Sequence, residues 1–238
     1  MFKRLKEKYI KNKKLYHTYR YFKYKLKFLR AHSAFGEDVF LNKIFFNNNT
    51  GFFVDIGALH PINGSLTYNL YKKGWNGLNI DMVEENLRLF KKYRKRDINL
   101  NYAISSKKGL IDAFIFEQGS GLNTTNKIWA EKWKKKINKD YIIRKVKRNT
   151  LTYILDKYKV KNSFELLNID VEGHELEVLK GINLKKYKPK LISIEIHVKK
   201  TRDIFNTQIY KILKKNDYDL ISQYFQTSFF KSKNFKIN

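Results

Sequence analysis

The stretch Leu166–Gly181, L-L-N-I-D-V-E-G-H-E-L-E-V-L-K-G, decides the fold class of this chain. An apolar run ends in Asp170 and Glu172, and Gly173 then lets the chain turn into a charged, amphipathic segment. This order of strand, carboxylate, turn and helix is typical of open α/β sheets, which place reactive groups at the carboxyl ends of their strands. We therefore expect a parallel-type sheet with a functional site at the end of this strand.

A second junction of the same kind, G-F-F-V-D-I-G-A-L-H-P, occupies residues 51–61. Asp55 lies where the strand ends, Gly57 permits close approach of the backbone, and Ala58 keeps the loop slim. The loop leads to a helix that Ser65 can cap. Because a helix N-terminus presents free amide donors, this junction predicts a site for a polar ligand.

Asp81 ends the next predicted strand, where a carboxylate can accept hydrogen bonds from ribose hydroxyls. The chain lacks G-x-G-x-x-G, so binding of a pyrophosphate is not indicated and a cofactor without phosphate is favoured. Strand, D-x-G, helix, strand and Asp together are the pattern that we associate with S-adenosylmethionine binding. The alternative interpretation is that Asp55 and Asp81 only cap two strands.

Helical and strand patterns alternate along the rest of the chain, which predicts an α/β fold with a parallel-type sheet and helices on both faces. We expect helices at residues 36–46, 65–73, 84–94, 151–158, 175–180 and 202–215. We expect strands at residues 52–56, 78–81, 98–104, 110–116, 164–170, 191–197, 219–225 and 227–235.

Two segments between these elements are polar or basic. Residues 117–126 are a flexible polar loop whose small residues suit a lid over an acceptor. Residues 127–148 hold ten Lys or Arg and two tryptophans, Trp129 and Trp133. We expect either a surface that grips an anionic or carbohydrate acceptor, or a solvated basic helix whose tryptophans pack inward.

Bulk composition limits the class of protein. At 238 residues the chain suits one domain with an appendage, and cysteine is absent, which excludes disulfides and thiolate metal sites. No apolar run approaches the ~20 residues of a membrane span, and the start lacks the pattern of a secretory signal, so we expect a cytoplasmic protein. The net charge of +28 fits nucleic acid, an anionic membrane face, or only the residue usage of AT-rich coding.

The basic charge is concentrated at the start of the chain. Residues 1–30 hold twelve Lys or Arg against one Glu, with apolar residues mostly three or four positions apart. This spacing predicts a basic amphipathic helical arm over residues 1–32, followed by a globular domain over residues 33–238. Such an arm either packs on the body or makes a peripheral contact with anionic lipid on the inner membrane face.

Several motifs together resemble the FkbM family of methyltransferases, from about Ser33 to His197. The motifs are G-E-D-V-F at 36–40, F-V-D-I-G-A-L-H-P at 53–61, L-Y-K-K-G-W-N-G-L-N-I-D at 70–81, R-D-I-N-L-N-Y-A-I-S at 96–105, S-G-L-N-T-T at 120–125, and the stretch at 166–181. The first loop, G-A-L-H-P at 57–61, resembles the G-A-H-H-P loop of one subgroup of this family. It departs from that subgroup at Leu59, which stands in place of the first histidine.

The resemblance implies a Rossmann-like class I methyltransferase fold, S-adenosyl-L-methionine as the methyl donor, and O-methylation. Family members commonly modify sugar hydroxyls of surface polysaccharides or natural products, so a glycan or glycolipid acceptor is implied. Carried over to this sequence, the resemblance assigns the methionine part of the cofactor to Asp55, Gly57 and Ala58, its polar end to Ser65, its ribose to Asp81 and its adenine to the Ala103 region.

A sugar hydroxyl is a poor nucleophile, so a general base is expected, which typically contributes roughly 10²–10⁴ in rate. The candidate catalytic residues are Asp170, Glu172 and His197, with His174 and His60 as weaker candidates. Asp170, Glu172 and His197 are acceptable metal ligands, but no compact ligand spacing requires a metal, and we predict none.

Two alternatives remain open from the sequence. An RNA methyltransferase would use the +28 charge, although we find no N-P-P-Y-like motif or RNA-binding module and expect no nucleic-acid partner. A non-catalytic scaffold would bind membrane or a polyanion through residues 1–30. The sequence does not determine the oligomeric state or which hydroxyl accepts the methyl group.

Overall fold

A computed structural model describes residues 31–237 of the chain. The predicted basic arm lies outside these residues, except for its last two positions, and the proposed division into arm and domain therefore stays a prediction. The described chain forms one compact unit that begins at His32.

Helices and strands alternate through the described residues, as the sequence predicts. The helices are α1 (Glu37–Ile44), α2 (Tyr68–Lys72), α3 (Glu84–Tyr93), α4 (Lys127–Ile137), α5 (Leu151–Lys157), α6 (Glu175–Lys180) and α7 (Gln208–Lys215), with a 3-10 helix at Thr201–Asn206. The strands are β1 (Phe52–Ile56), β2 (Asn76–Asp81), β3 (Ile98–Asn101), β4 (Ala103–Ile104), β5 (Gly109–Ile115), β6 (Ile142–Asn149), β7 (Leu166–Ile169), β8 (Leu191–Glu195), β9 (Tyr218–Tyr224) and β10 (Thr227–Ser232).

Seven strands form the main sheet in the order β3-β2-β1-β7-β8-β10-β9. The first five strands in this order, β3, β2, β1, β7 and β8, are parallel to one another. Strand β10 pairs antiparallel with both β8 and β9. This mostly parallel α/β sheet confirms the predicted fold class. The opening stretch of sequence supplies β7, which lies beside β1 at the centre of the sheet.

Successive residues of the central strands point to opposite faces of the sheet, and both faces are covered. On one face Val54 and Ile56 pack in a core with residues of α5, α6 and α7. On the other face Phe53 packs with residues of α1 and α2, and with Trp75. Because both faces are buried, these strands are mostly apolar, with single polar residues such as Asp55 in β1 and Asn168 in β7, and this composition made them recognisable in the sequence.

A second sheet of three strands, β4-β6-β5, was not predicted. The expected single strand at 98–104 breaks at Tyr102, whose amide donates to the Asp81 carbonyl; β3 pairs with β2, whereas β4 pairs with β6. The basic segment 127–148, for which a solvated helix was one of two interpretations, is helical only in its first half, and its second half is β6. Pairing of β6 with β5 satisfies its backbone, and its side chains are mostly exposed, so no apolar period marks the strand.

Two predicted helix boundaries were also wrong. The helix expected at 65–73 begins only after Thr67, and Ser65 does not cap it but is buried below the loop. The helix expected at 202–215 is divided at Thr207, whose hydroxyl accepts from the Tyr210 amide and caps α7. At α7 a side-chain hydrogen bond, rather than the apolar period, determines where the helix begins. At α2 no side chain caps the helix, because the hydroxyls of Ser65 and Thr67 bond to Arg94 and Asp55 instead.

Candidate active site

The sheet forms a crevice at the carboxyl ends of β1, β2 and β7. From β1 the chain continues to β2 and β3 on one side, whereas β7 and β8 lie on the other side. Such a reversal of strand order is where open α/β sheets bind ligands. Two cavities adjoin in this crevice, and Gly57, Leu59 and Asp170 line both of them.

The predicted cofactor residues are distributed over these cavities. The first cavity, with an empty volume of about 660 Å³ that includes space open to solvent, is lined by Asp81 and Ala103. The second, of about 550 Å³, is lined by Asp55, Ala58 and Ser65. Gly57 lies between the two sets, so the structure brings all six residues to one crevice.

Gly57 has a backbone conformation and an environment that only glycine satisfies. Its φ is +82°, and a Cβ atom added here would lie 1.7 Å from the carbonyl oxygen of Asp170. Its amide donates to the Ile80 carbonyl at 2.9 Å. The loop after β1 therefore contacts the turn after β7 backbone to backbone, which leaves the space above them open.

Asp81 accepts three hydrogen bonds at the end of β2. The donors are the amide of Leu59 at 2.9 Å, the amide of Val83 at 2.7 Å and the side-chain amide of Asn86 at 3.2 Å. Burial nevertheless raises the pKa of Asp81 to about 6, against the lowering effect of these donors. The carboxylate thus shapes both loops around the first cavity and lines that cavity itself.

Asp55 belongs to a chain of buried polar groups beneath the second cavity. It accepts from Thr67 Oγ1 at 2.8 Å and from Asn168 Nδ2 at 2.9 Å, and burial raises its pKa. Thr67 in turn accepts from Arg94 Nη2 at 3.0 Å. Arg94 is fully buried and forms an ion pair with Asp97 at 2.7 Å. Nothing in the sequence pattern distinguishes this arginine, because it follows directly after α3, whose last turn carries lysines.

The turn after β7 is closed by Glu175, not by Glu172. Glu175 Oε1 accepts from the amides of Val171 at 3.1 Å and Gly173 at 3.0 Å. Glu172 therefore does not cap the following helix. Glu172 instead has a φ of +54°, a strained conformation for a non-glycine residue, and its side chain lines the first cavity.

The polar loop and α4 hold this turn from the other side. Thr124 Oγ1 donates to the Glu172 carbonyl at 2.7 Å, and Asn126 Nδ2 donates to the Gly173 carbonyl at 2.6 Å. Trp129 Nε1 donates to Glu172 Oε2 at 3.1 Å. The second half of the 117–126 loop is thus anchored, while Ser120 and Gly121 line the first cavity.

Asp170 lies in the wall shared by the two cavities, and the residue is exposed to them. Desolvation, and then the negative charges of Glu195 and Glu172, raise the pKa of Asp170 well above its ordinary value. Asp170 is both accessible to solvent and partly desolvated, because it lines a cleft in which protein atoms replace much of the surrounding water. The remaining water weakens the repulsion between the carboxylates.

His197 and Glu195, the last residue of β8, form a close pair at the end of that strand. His197 Nε2 lies 2.8 Å from Glu195 Oε2, although neither atom makes a hydrogen bond of suitable geometry with a described residue. Burial alone lowers the pKa of His197, but the adjacent Glu195 raises it overall. Burial and Glu195 raise the pKa of Glu172 to about 7. Sequence reasoning missed Glu195, which stands two residues before His197 in I-S-I-E-I-H.

The two weaker histidine candidates have different environments. His60 Nδ1 accepts from the amides of Ile62 and Asn63, at 3.1 and 2.9 Å, so this ring braces the loop after β1. His174 is half-buried, lines the first cavity, and contacts Ser105 Oγ at 3.2 Å through Nε2. Burial lowers the pKa of His174.

The charge of the crevice is opposite to that of the whole chain. Although the chain has 50 Lys and Arg, none of those in the described part lines either cavity. The acidic residues that line them are Glu37, Asp55, Asp81, Asp170, Glu172 and Glu195. The crevice therefore favours a ligand with positive charge and disfavours phosphate groups.

The sequence is similar to one known family. The model of the FkbM methyltransferase domain matches residues 55–220. A crystal structure of the methyltransferase FkbM from Methylobacillus flagellatus KT superposes with a TM-score of 0.47 and 14% identity, over 77% of this chain and 44% of that chain. This chain therefore spans less than half the length of that protein. No curated protein matches the sequence.

Proposed function

This chain belongs to the FkbM methyltransferase family, and from that premise we propose that it is an S-adenosylmethionine-dependent O-methyltransferase. The observation that carries the proposal is the pair of acidic cavities joined at Gly57, at the carboxyl ends of β1, β2 and β7. The remaining residues of the crevice then divide between cofactor and acceptor.

The position and the acidic lining of the crevice support this cofactor. In the first cavity, Asp81 would hold the ribose and the Tyr102–Ile104 segment would hold the adenine. In the second cavity, the side formed by Asp55 and Ser65 would hold the methionine part of the cofactor. The sulfonium and ammonium groups of S-adenosylmethionine are positive, and acidic side chains surround the place where the cavities meet. No phosphate-binding loop is needed, in agreement with the missing G-x-G-x-x-G.

When bound, S-adenosylmethionine supplies an electrophilic methyl group. The chain must hold an acceptor oxygen in line with it, and such orientation contributes up to about 7–11 kcal/mol in favourable cases. Asp170 lines both cavities and is the group that we propose takes the hydroxyl proton, while Glu172 orients the acceptor. Trp129, bonded to Glu172 and packed on His197, helps to exclude water from this side.

The acceptor that we propose is a sugar hydroxyl of a surface polysaccharide or glycolipid intermediate, as the family resemblance implies. The acidic lining favours an uncharged sugar at the reacting position and counts against an RNA acceptor, whose phosphates would be repelled. Among the described helices, none is both long and apolar enough to cross a membrane. Contact of residues 1–30 with anionic lipid remains a proposal from the sequence, which sedimentation of the full chain with phosphatidylglycerol vesicles would test.

A thermal-shift measurement tests the cofactor. S-adenosylmethionine or S-adenosylhomocysteine at about 100 times its dissociation constant stabilises the folded state by about 2.7 kcal/mol. For a chain of this length the expected rise in melting temperature is about 5–10 °C. NAD, the control, should give none. No shift with either sulfur ligand, in a folded sample, would favour the non-catalytic scaffold.

Two substitutions separate binding from transfer. Asp81→Ala should abolish most of the thermal shift, because it removes the carboxylate proposed to bind the ribose. Glu172→Gln keeps the side-chain volume, so the shift should persist while methyl transfer to the acceptor falls. The opposite pattern would contradict this assignment of the two carboxylates.

A further inference from the structure

Glu172, Glu195 and His197 form a cluster that none of the assignments above uses as a unit. Strands β7 and β8 are parallel neighbours, with Ile169 opposite Ile194, so the residues that follow them meet at one edge of the sheet. One oxygen from each glutamate and one imidazole nitrogen all lie within 4.8 Å of one another. We propose that this cluster binds a divalent cation beside the reacting hydroxyl.

The first argument is the close approach of two buried ligand atoms in the cluster. Glu195 Oε2 and His197 Nε2 are shielded from solvent and form an ion pair at 2.8 Å, but the angles of this contact do not suit a hydrogen bond. Their side chains are only 13% and 19% exposed. Buried polar atoms in native proteins almost always have a well-oriented partner. A cation that binds one lone pair of each atom would be such a partner.

The second argument is the support around the ligands. Trp129 Nε1 donates to Glu172 Oε2 at 3.1 Å, and its ring packs on the His197 imidazole with centroids 4.4 Å apart. Groups that hold ligand side chains in one orientation are a regular part of metal sites. One tryptophan thus fixes two of the three proposed ligands from the same side.

The third argument is uncompensated negative charge. Asp170, Glu172 and Glu195 line adjoining walls of the two cavities, and no described lysine or arginine lines either wall. Like charges at such short range are unfavourable, which is why the pKa values of Asp170 and Glu172 are raised, and a cation between the carboxylates would relieve the same repulsion. His197 provides at most one positive charge against these three carboxylates.

The ligand set indicates the kind of ion. Ca²⁺ and Mg²⁺ prefer sites made entirely of oxygen, whereas imidazole suits first-row transition ions. Two carboxylates and one imidazole therefore favour Mn²⁺ or Zn²⁺. Three protein ligands leave coordination positions open, as in catalytic metal sites, and an acceptor hydroxyl can occupy one of them.

The role of the ion rests on the proposed function. A hydroxyl polarised by the cation loses its proton more readily, and that proton passes to Asp170. The oxygen–methyl bond then forms as the sulfur–methyl bond breaks, which gives the methyl ether and S-adenosylhomocysteine. Glu172 and Glu195 would hold the ion, so Asp170 remains free to accept the proton.

Metal titration of the chelator-treated full chain tests the site without relying on methyl transfer. Isothermal titration calorimetry with MnCl₂ and with ZnCl₂ should show about one ion per chain for at least one of the two metals. Glu195→Gln and His197→Gln should each weaken binding of that metal about tenfold or more. Glu177→Gln is the matched control, because Glu177 pairs with Lys180 on α6 and lines neither cavity; its affinity should equal that of the wild type.

Absence of stoichiometric binding by the wild type would overturn the proposal, and so would equal affinity in the wild type, Glu195→Gln and His197→Gln. A retained thermal shift with S-adenosylmethionine shows that the variants fold. If the wild type binds the ion but shows no such shift, the proposed function fails while the cation site stands. If chelated and metal-loaded enzyme transfer methyl groups equally fast, the role of the ion at the acceptor is excluded.

Discussion

Two glycines near the site, Gly57 and Gly64, are required for different reasons. Gly64 is required only for its backbone conformation, whereas Gly57 is required also because no side chain fits. Both have left-handed backbone, with φ of +82° and +73°. A Cβ at Gly57 would lie 1.7 Å from the Asp170 carbonyl oxygen, whereas a Cβ at Gly64 would meet nothing within 4 Å. The D-x-G motif in the sequence identified Gly57. The backbone that excludes a side chain there is that of Asp170, which lies more than a hundred residues later in the chain.

The first prediction uses this contrast. Gly64→Ala should lower the free energy of unfolding by about 1 kcal/mol, the ordinary cost of placing alanine in the left-handed region. Gly57→Ala should lower it by at least about 3 kcal/mol, because the backbone of two loops must also move apart. Urea denaturation of the two variants and the wild type measures the difference. Equal losses would mean that the loops after β1 and β7 are not in backbone contact.

Asp81 gives a prediction of pH dependence in the absence of ligand. Its pKa is about 6 in the folded state and 3.8 when unperturbed. Between these values the unfolded chain loses the proton first, so the contribution of Asp81 to stability falls as pH rises from about 4 to about 6. A difference of about two pKa units corresponds to about 3 kcal/mol. Below about pH 4 the raised pKa of Asp81 causes no loss of stability, and above about pH 6 the loss has reached its full size.

Comparison with Asp81→Asn isolates this contribution. The stability of the wild type relative to the variant, from urea denaturation at several pH values, should decline across the window from pH 4 to pH 6. A constant difference over that window would show that Asp81 is ionised in the folded protein with an ordinary pKa. Neighbouring Asp55 contributes to the raised pKa by charge repulsion, but burial contributes more.

At the scale of elements, the site depends on how α4 begins. Asn126 Oδ1 accepts from the amides of Ile128 and Trp129 and caps the helix, while its Nδ2 donates to the Gly173 carbonyl. The same side chain therefore starts the helix that carries Trp129 and anchors the turn after β7. Thr150 caps α5 in the ordinary way, through the Tyr153 amide.

The third prediction compares these two caps. Asn126→Ala and Thr150→Ala should each reduce stability by about 1 kcal/mol, the usual loss of an N-cap. Only Asn126→Ala should also reduce methyl transfer, because Trp129 and Glu172 lose their relative position. Unfolding and initial-rate measurements on both variants provide the check. Equal transfer rates would show that the anchor does not position the site.

Elements differed in how far the sequence predicted them. Buried parallel strands were predictable because residues apolar on both faces give mostly apolar runs such as Phe52–Ile56, in which Asp55 is the single polar residue. The exposed strand β6 was not, since its R-K-V-K-R-N side chains carry no apolar period and only pairing with β5 makes it a strand. Ser65, too, was placed by the buried Arg94 network rather than by helix capping.

At the scale of the whole molecule, the net charge of the chain is strongly positive, whereas the charged residues that line the crevice are acidic. We expect polyanions such as a labelled RNA oligonucleotide to bind outside the crevice and without base specificity. Their binding should weaken steeply with salt, since it depends on displaced counterions. Saturating S-adenosylhomocysteine should leave the RNA affinity unchanged in a fluorescence anisotropy titration. Competition between the two ligands would instead place the polyanion in the crevice and revive the RNA methyltransferase.

The sequence by itself determined the α/β class, the family and the identity of the loops that meet at the site. These features depend on local patterns: apolar runs, acidic residues at strand ends, and glycines in turns. Tertiary structure alone decided that Glu195 joins Glu172 and His197, that Trp129 contacts both Glu172 and His197, and that no lysine of residues 31–237 lines either cavity. The physical reason is that these contacts join residues from separate elements, and their distances depend on how the strands are ordered in the sheet.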